Sequence, residues 1–479
     1  MFKQAILIIV IVVSSIGLTY AQSPTHYDIG TPTLINLWVD PVNGDDSQTG
    51  DSATTALRTF YEAWNRVPVG TPLETGYHIH LGAGMYLQEA VPLYMESRYG
   101  NYDAPIIIEG EPNTVFIETN LNIFDTRYLY IIGLNIHGGG DAFHCERCDH
   151  FLLRDSVIYG DTPESYNVQE AAKFNQSEYI YLENNDISGA WNNGVDFVAV
   201  RYGHIINNRI HLAGDWCLYL KGGSAYFRVE SNEFYDCDTG GFSAGQGTGF
   251  EYMEAPWLQY EAYDIKFINN VVHDTQGAGA GVNGGYNILI ANNVFYQIGA
   301  RSHIFEAVFG LRSCDGDVEQ CTTYLAAGGW GTTAVGTEGE PIPNRNIYVY
   351  NNIFYNPTGT QSQWSHFAIY APRTASEGTN IPNPVHTDDN LQIRGNLIWN
   401  GGPAMPLGIE SDAGCATDNP ACNLTQLLAD NLINQVEPTF ADPSSGDYSY
   451  TGSTDFYLPI PDFTWELPTV PEGTLTNTP

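Results

Sequence analysis

One short phrase recurs along the chain and dictates most of what it can fold into. It reads ENNDIS, INNRIH, ESNEFY, INNVVH, ANNVFY, YNNIFY and RGNLIW. Its last Asn falls at Asn185, Asn208, Asn232, Asn270, Asn293, Asn352 and Asn396, with spacings of 23, 24, 38, 23, 59 and 44 residues. Three gaps near 23 residues indicate stacked supersecondary units, and the longer gaps indicate coils that carry insertions. Three residues before each Asn stand Leu182, Ile205, Val229, Phe267, Ile290, Val349 and Ile393, and two residues after it stand Ile187, Ile210, Phe234, Val272, Phe295, Phe354 and Ile398. The position four before is mixed, from Tyr181 to Gln392. Such alternation is a strand with one buried face, ended by a turn at the Asn. Asn tolerates left-handed backbone and bonds its own backbone. If it points inward, coils stacked about 4.8 Å apart let each amide bond the next.

The expected fold is therefore all-β: a single right-handed parallel β-helix with an N-terminal capping helix and two long loop insertions. The cap is read in LRTFYEAWNRV (57–67), with Leu57, Phe60, Tyr61 and Trp64 at helical spacing, and the first rungs in 78–86 and 104–111. The insertions fall at about 240–262 and 301–345. Residues 22–465 form the body and 466–479, rich in Pro and Thr, a flexible tail.

Met-Phe-Lys, an apolar run from Ala5 to Leu18 and Thr19-Tyr20-Ala21 read as a signal peptide cut after Ala21. Its 14 apolar residues are short for a membrane span, and no later stretch approaches that length. Export, to the outside or the periplasm, suits the eight cysteines. They fall in close pairs, 145/148, 217/237, 314/321 and 415/422, of which the last two read as loop clips and 217/237 as a bridge between rungs. The 18 basic and 55 acidic residues give a net charge of −37, which excludes nucleic acid as a partner. It also disfavours polyanions unless local cations override the field.

The segments LWVDPVNGDDSQTG (37–50), ALRTFYEAW (56–64) and EPTFADPSSGDYSY (437–450) resemble the opening and closing segments of secreted bacterial β-helix proteins. With the Asn phrases, the resemblance to the pectate-lyase-like β-helix class covers most of residues 37–450. It implies the fold and an extracellular polysaccharide as partner, and the chain is expected to be a monomer. It does not name a reaction, because the fold hosts lyases, hydrolases, esterases, epimerases and adhesins.

Insertions on a solenoid gather over one face and mark function. Gln246, Tyr252, Trp257 and Tyr260 in the first insertion are candidate sugar-binding residues, with Tyr219 and Asn283 from the strands. Seven of the 18 basic residues lie between Arg201 and Arg312. Arg201, Lys221 and Arg312, with His303 and Glu306, are the candidate catalytic group. Glu306 and Arg312 are expected to face outward if Phe309 and Leu311 point in. KGGSAYFRVESNEF (221–234) resembles a segment of β-helix lyases acting on uronate polymers, and by that resemblance Lys221 is the base. The Arg-His-Gly those enzymes carry one coil later is FSAGQG here, and Gly214 and Trp216 stand where they carry metal-binding acids. β-Elimination needs the uronate carboxylate neutralised and a Lys whose pKa is lowered by nearby cations. Ca²⁺ is the possible cofactor, held by Asp315 and Asp317 with Glu319, or by Asp236 with Asp238. The expected function is a polysaccharide lyase that cleaves a uronate-containing glycan by β-elimination, and two other readings stay open. One is hydrolysis by paired carboxylates drawn from Asp215, Glu251, Glu254, Glu261 and Glu306, and the other is glycan binding without catalysis.

Overall fold

A computed structural model describes residues 25–160, 169–410 and 414–463. The signal segment and the tail 466–479 lie outside the described residues. The body is a parallel β-helix of three sheets with 12, 10 and 12 strands. Coils in the middle of the stack supply one strand to each sheet. One coil runs Val195–Val198 (second sheet), Arg201–Ile206 (first) and Arg209–Ala213 (third). The next repeats it as Trp216–Lys221, Ser224–Glu230 and Glu233–Cys237. Equivalent strands pair in register, so the apolar column after the Asn becomes a continuous file: Ile187, Ile210, Phe234, Val272, Phe295, Phe354 and Ile398. All seven are buried in one core that runs the length of the molecule.

The recurring turn divides its labour between two residues. The first takes the left-handed conformation, at φ 56° in Asn184, Asn207 and Asn269 and 65° in Gly395. The second points inward. Asn185 Nδ2 donates to Asn208 Oδ1 (2.9 Å), Asn208 to Asn232 (3.0 Å), Asn232 to Asn270 (3.0 Å), Asn270 to Asn293 (3.1 Å), Asn293 to Asn352 (2.9 Å) and Asn352 to Asn396 (3.0 Å). Each Oδ1 also accepts the backbone N–H of the preceding Asn, as in Asn232 N to Asn270 Oδ1 at 2.9 Å. The ladder outruns the phrase at both ends: Ser156 N donates to Asn185 Oδ1 (3.0 Å) and Asn396 Nδ2 to Asn431 Oδ1 (2.8 Å). Buried amides satisfied this way avoid the penalty of an orphaned polar group.

Some boundaries differ from the sequence reading. The capping helix is Phe60–Asn65, started by the Thr59 hydroxyl, which accepts the Glu62 N–H. Phe60, Ala63 and Trp64 are buried and Tyr61 faces solvent. The first rung is Leu34–Val39, ahead of Gly76–Leu81, because its short alternating segment lacks the Asn phrase. A third excursion, 370–388, packs Ala375, Ile381 and Val385 against Trp257 and Tyr260 of the first insertion. Disulfides join Cys145–Cys148, Cys217–Cys237, Cys314–Cys321 and Cys415–Cys422. That pattern suits an oxidising compartment. Among the described residues no helix is long and apolar enough to cross a membrane.

Two outer faces are partly covered by terminal segments. Tyr27 stacks on Tyr181 at 4.3 Å over the first sheet, and Tyr448 of the closing hairpin stacks on His273 at 4.6 Å over the third. The insertions instead rise beside the second sheet. Gly247–Gly249 pairs in parallel with Gly310–Ser313, which pairs antiparallel with Glu340–Ile342.

Candidate functional site

The second sheet is made of short strands whose outward residues form two files. One file runs Asn122, His144, Lys173, Asp196, Tyr219, Ser243, Gly281, Glu306 and Ala368. The other includes Glu146, Asn175, Val198 and Lys221. Where the wall of insertions meets these files lies a cavity of about 400 Å³, lined among others by Lys173, Asp196, Lys221, Thr248, Tyr252 and Asp315.

Lys221 Nζ sits 3.5 Å from Asp196 Oδ2 and 4.6 Å from the centre of the Tyr219 ring. Asp196 is buried, and its Oδ1 has no hydrogen-bond partner among the described residues. The same holds for Asn175 Oδ1, Trp216 Nε1, Tyr219 OH and Asn283 Oδ1, all on this face. Burial drives the Asp215 carboxyl up from its ordinary value, opposed by the Thr239 hydroxyl and Lys221, while Asp196 and Glu306 raise it further. Burial followed by the Asp196 charge likewise pushes Glu170 upward. Burial works against the Lys173 ammonium, but Asp196, Asp141 and Glu170 outweigh it and hold its pKa above the usual lysine value. Farther along the file, Glu306 accepts from Asn283 Nδ2 (2.9 Å) and bonds His303 Nε2 (3.0 Å). Gly281 makes room for it, since a Cβ there would lie 2.8 Å from Glu306 Cγ.

The candidate residues thus divide. Lys221, Tyr252 and Asp315 line the cavity, Tyr219 lies buried beside it, and His303, Glu306 and Asn283 form a bonded group on the same face. Gln246 is partly exposed at the base of the wall, where its carbonyl accepts the Leu311 N–H. Four expectations are corrected. Arg201 is buried in ion pairs with Glu178 (2.9 Å) and Glu254 (2.7 Å), tying the first insertion to the coil, so it is not a cation beside Lys221. Arg312 does not face outward: the strand ends at Val308, Leu311 is exposed, and Arg312 is wholly buried with its Nε donating to Glu261 Oε1 at 2.8 Å. Trp257 and Tyr260 pack the insertion onto the body and offer no open ring to a sugar. Glu261 and Glu251 are spent on structure. Glu261 holds Arg312 and the Gly222 N–H, and Glu251 accepts the Asp315 and Asp317 N–H groups.

The acidic loop does not gather Asp315, Asp317 and Glu319 around one point. Asp317 Oδ1 accepts the Gln320 N–H to start the helix Val318–Ala326, and Asp315 Oδ1 accepts the Ser313 hydroxyl. Asp236 is exposed on the third sheet. The sequence reading missed Asp196, Lys173 and Glu170. Asp196 stands one rung before Tyr219 and Lys173 one rung before Asp196, so extending the Tyr219 column backward would have found both.

With this geometry the chain is a right-handed parallel β-helix protein with a charged groove on one sheet. The family described as "Right handed beta helix region" matches residues 119–255. No curated protein matches the sequence. Among solved structures, the Dettilon tailspike protein is similar at 10% identity over 78% of this chain and 67% of that one, with a TM-score of 0.40. The catalytic domain of a GH87 α-1,3-glucanase in complex with nigerose is similar at 11% identity over 82% and 69%, with a TM-score of 0.44. The Azotobacter vinelandii mannuronan C-5 epimerase AlgE6 A-module is similar at 13% identity over 68% and 86%, with a TM-score of 0.40.

Proposed function

We propose that this protein cleaves an extracellular polysaccharide in the groove over the second sheet, by hydrolysis with Asp215 as proton donor and Asp196 as base or nucleophile. The observation that carries the reading is the crowding of buried, unpartnered polar atoms around Asp196 on one face. Polar groups left unsatisfied in this way suit the hydroxyls of a sugar. The two carboxyls stand in unlike environments. Burial raises the Asp215 carboxyl from its ordinary value against the pull of Lys221, and Asp196 Oδ2 lies 3.5 Å from the same Lys221 ammonium. A carboxyl raised in this way suits the proton donor, which leaves Asp196 as base or nucleophile. Their separation across the bond then decides inversion or retention of the anomeric centre. Lys221 and Tyr252 bond and flank the ring. The acidic surroundings and the charge of −37 favour a neutral or cationic glycan.

A second reading has its own support. Lys173 and Lys221 line one cavity in a chain with 18 basic residues. A uronate carboxylate could pair with Lys173 while Lys221 takes the adjacent proton, with Ca²⁺ as a further counter-charge. Lys221 Nζ lies 3.5 Å from Asp196 Oδ2, so a base there would have to leave that ion pair.

The test is a panel of neutral and uronate polysaccharides with two readouts, new reducing ends and the ultraviolet absorbance of an unsaturated product. Hydrolysis gives the first alone, and Asp196→Asn abolishes it. Absorbance that is lost in Lys221→Ala, or on calcium chelation, would replace the hydrolytic reading with elimination. Retention on a glycan without either signal would make the protein a binder.

A further inference from the structure

We propose a second, non-catalytic site: a divalent transition-ion site, suited to Zn²⁺, formed by His78, His80 and Glu109 on the outer face of the first sheet. His78 and His80 are two residues apart on the strand Gly76–Leu81, so both point to one side of the sheet. Their rings lie 3.7 Å apart. Glu109 comes from the next rung, Ile106–Gly110, where it pairs with His80 and reaches diagonally to His78 Nε2 at 2.8 Å. One donor atom from each of the three residues falls within 4.8 Å of the others. Tetrahedral zinc with bonds of about 2.0–2.1 Å brings its donors to roughly 3.4 Å from one another, so the cluster closes with side-chain adjustments of about 1 Å.

The surroundings are arranged as a metal site's support would be. Trp38 of the first rung stacks on His80 at 4.1 Å and fixes its ring. Asn36 Oδ1 accepts from His80 Nε2 at 2.8 Å and orients that ring. Two imidazoles and a carboxylate select zinc, nickel or copper over calcium. The other described triad, Glu251 with Cys314 and Cys321, has its sulfurs in a disulfide and offers no thiolate. The consequence is mechanical. Asn36, the histidines and Glu109 sit on three successive rungs at the N-terminal end of the stack. An ion held there would staple the end coils, where a solenoid frays first.

The full chain, stripped with a chelator and dialysed against Zn²⁺, is expected to retain one more zinc ion than His78→Asn/His80→Asn, and to gain thermal stability on zinc addition where that variant gains none. Glu109→Gln, which removes the carboxylate and keeps both imidazoles, is expected to weaken retention. Equal zinc content in all three proteins, or an equal gain on adding Ca²⁺, would overturn the proposal.

Discussion

Replacing Asn270 by Ala removes the central rung of the amide ladder, and its cost can be worked bond by bond. Asn270 Oδ1 accepts the Asn232 backbone N–H (2.9 Å) and Nδ2 (3.0 Å), while its own Nδ2 donates to Val229 O (3.0 Å) and Asn293 Oδ1 (3.1 Å). Asn232 Nδ2 keeps Ile205 O at 2.8 Å, and Asn293 Oδ1 keeps the residue 270 N–H at 2.8 Å. The Asn232 N–H keeps nothing, and an orphaned buried donor costs about 1–3 kcal/mol. The remaining lost bonds add about 1 kcal/mol, for a total of roughly 2–4 kcal/mol. The neighbouring Asn269 serves as the control. Its backbone is left-handed at φ 56° and its Nδ2 donates to Glu230 Oε1 at 3.0 Å, so Asn269→Gly is expected to cost about 1 kcal/mol and Asn269→Ala about 1–2 kcal/mol more. Thermal and urea unfolding followed by circular dichroism measures the series. Asn270→Ala no less stable than Asn269→Gly would refute the inward ladder as a source of stability.

Glu183 is a buried hub that binds the N-terminal segment. Burial opposes its charge, but His204, the Tyr27 N–H and Arg154 outweigh it and hold the carboxyl at about 2. A carboxyl depressed on folding stabilises above its unfolded value near 4.5, by at most about 3 kcal/mol, and loses this as pH falls toward 2. The stability gap between wild type and Glu183→Gln should therefore shrink between pH 5 and 2 in denaturation experiments. Arg312→Ala leaves Glu261 buried without its cation, which is expected to cost about 3–5 kcal/mol and to open the insertion wall to proteolysis. Tyr252, 53% exposed at the cavity rim, is expected to tolerate Ala without loss of thermal stability, raising KM in steady-state assays rather than unfolding the protein.

The solenoid was legible in the sequence because its turn repeats: each Asn is tied to two apolar columns at fixed distance, and stacking makes every column a file. Leu34–Val39 escaped that reading because no Asn phrase follows the first rung, and Ser156 and Asn431 because the ladder continues through residues outside the phrase. Lys221 is legible from the cluster of basic residues and the phrase KGGSAYFRVESNEF, and its strand buries Leu218 and Leu220. Asp196 is not legible in the same way, because second-sheet strands are short and their distance from the Asn varies with the intervening turn. Trp257, Tyr260 and Arg312 were read as exposed because nothing local distinguishes an open loop from one folded back on the body. Their burial comes from contacts with Ala225, Ile381 and Glu261, distant in sequence.

The site assignment is tested most directly by a crystal of Asp196→Asn soaked with an oligosaccharide of whichever polysaccharide the wild type degrades. Sugar density is expected across the second sheet, in contact with residue 196, Lys221 and Tyr252, with the scissile oxygen toward Asp215. An oligosaccharide seated on the first or third sheet, with the Asp196 groove untouched, would contradict the assignment.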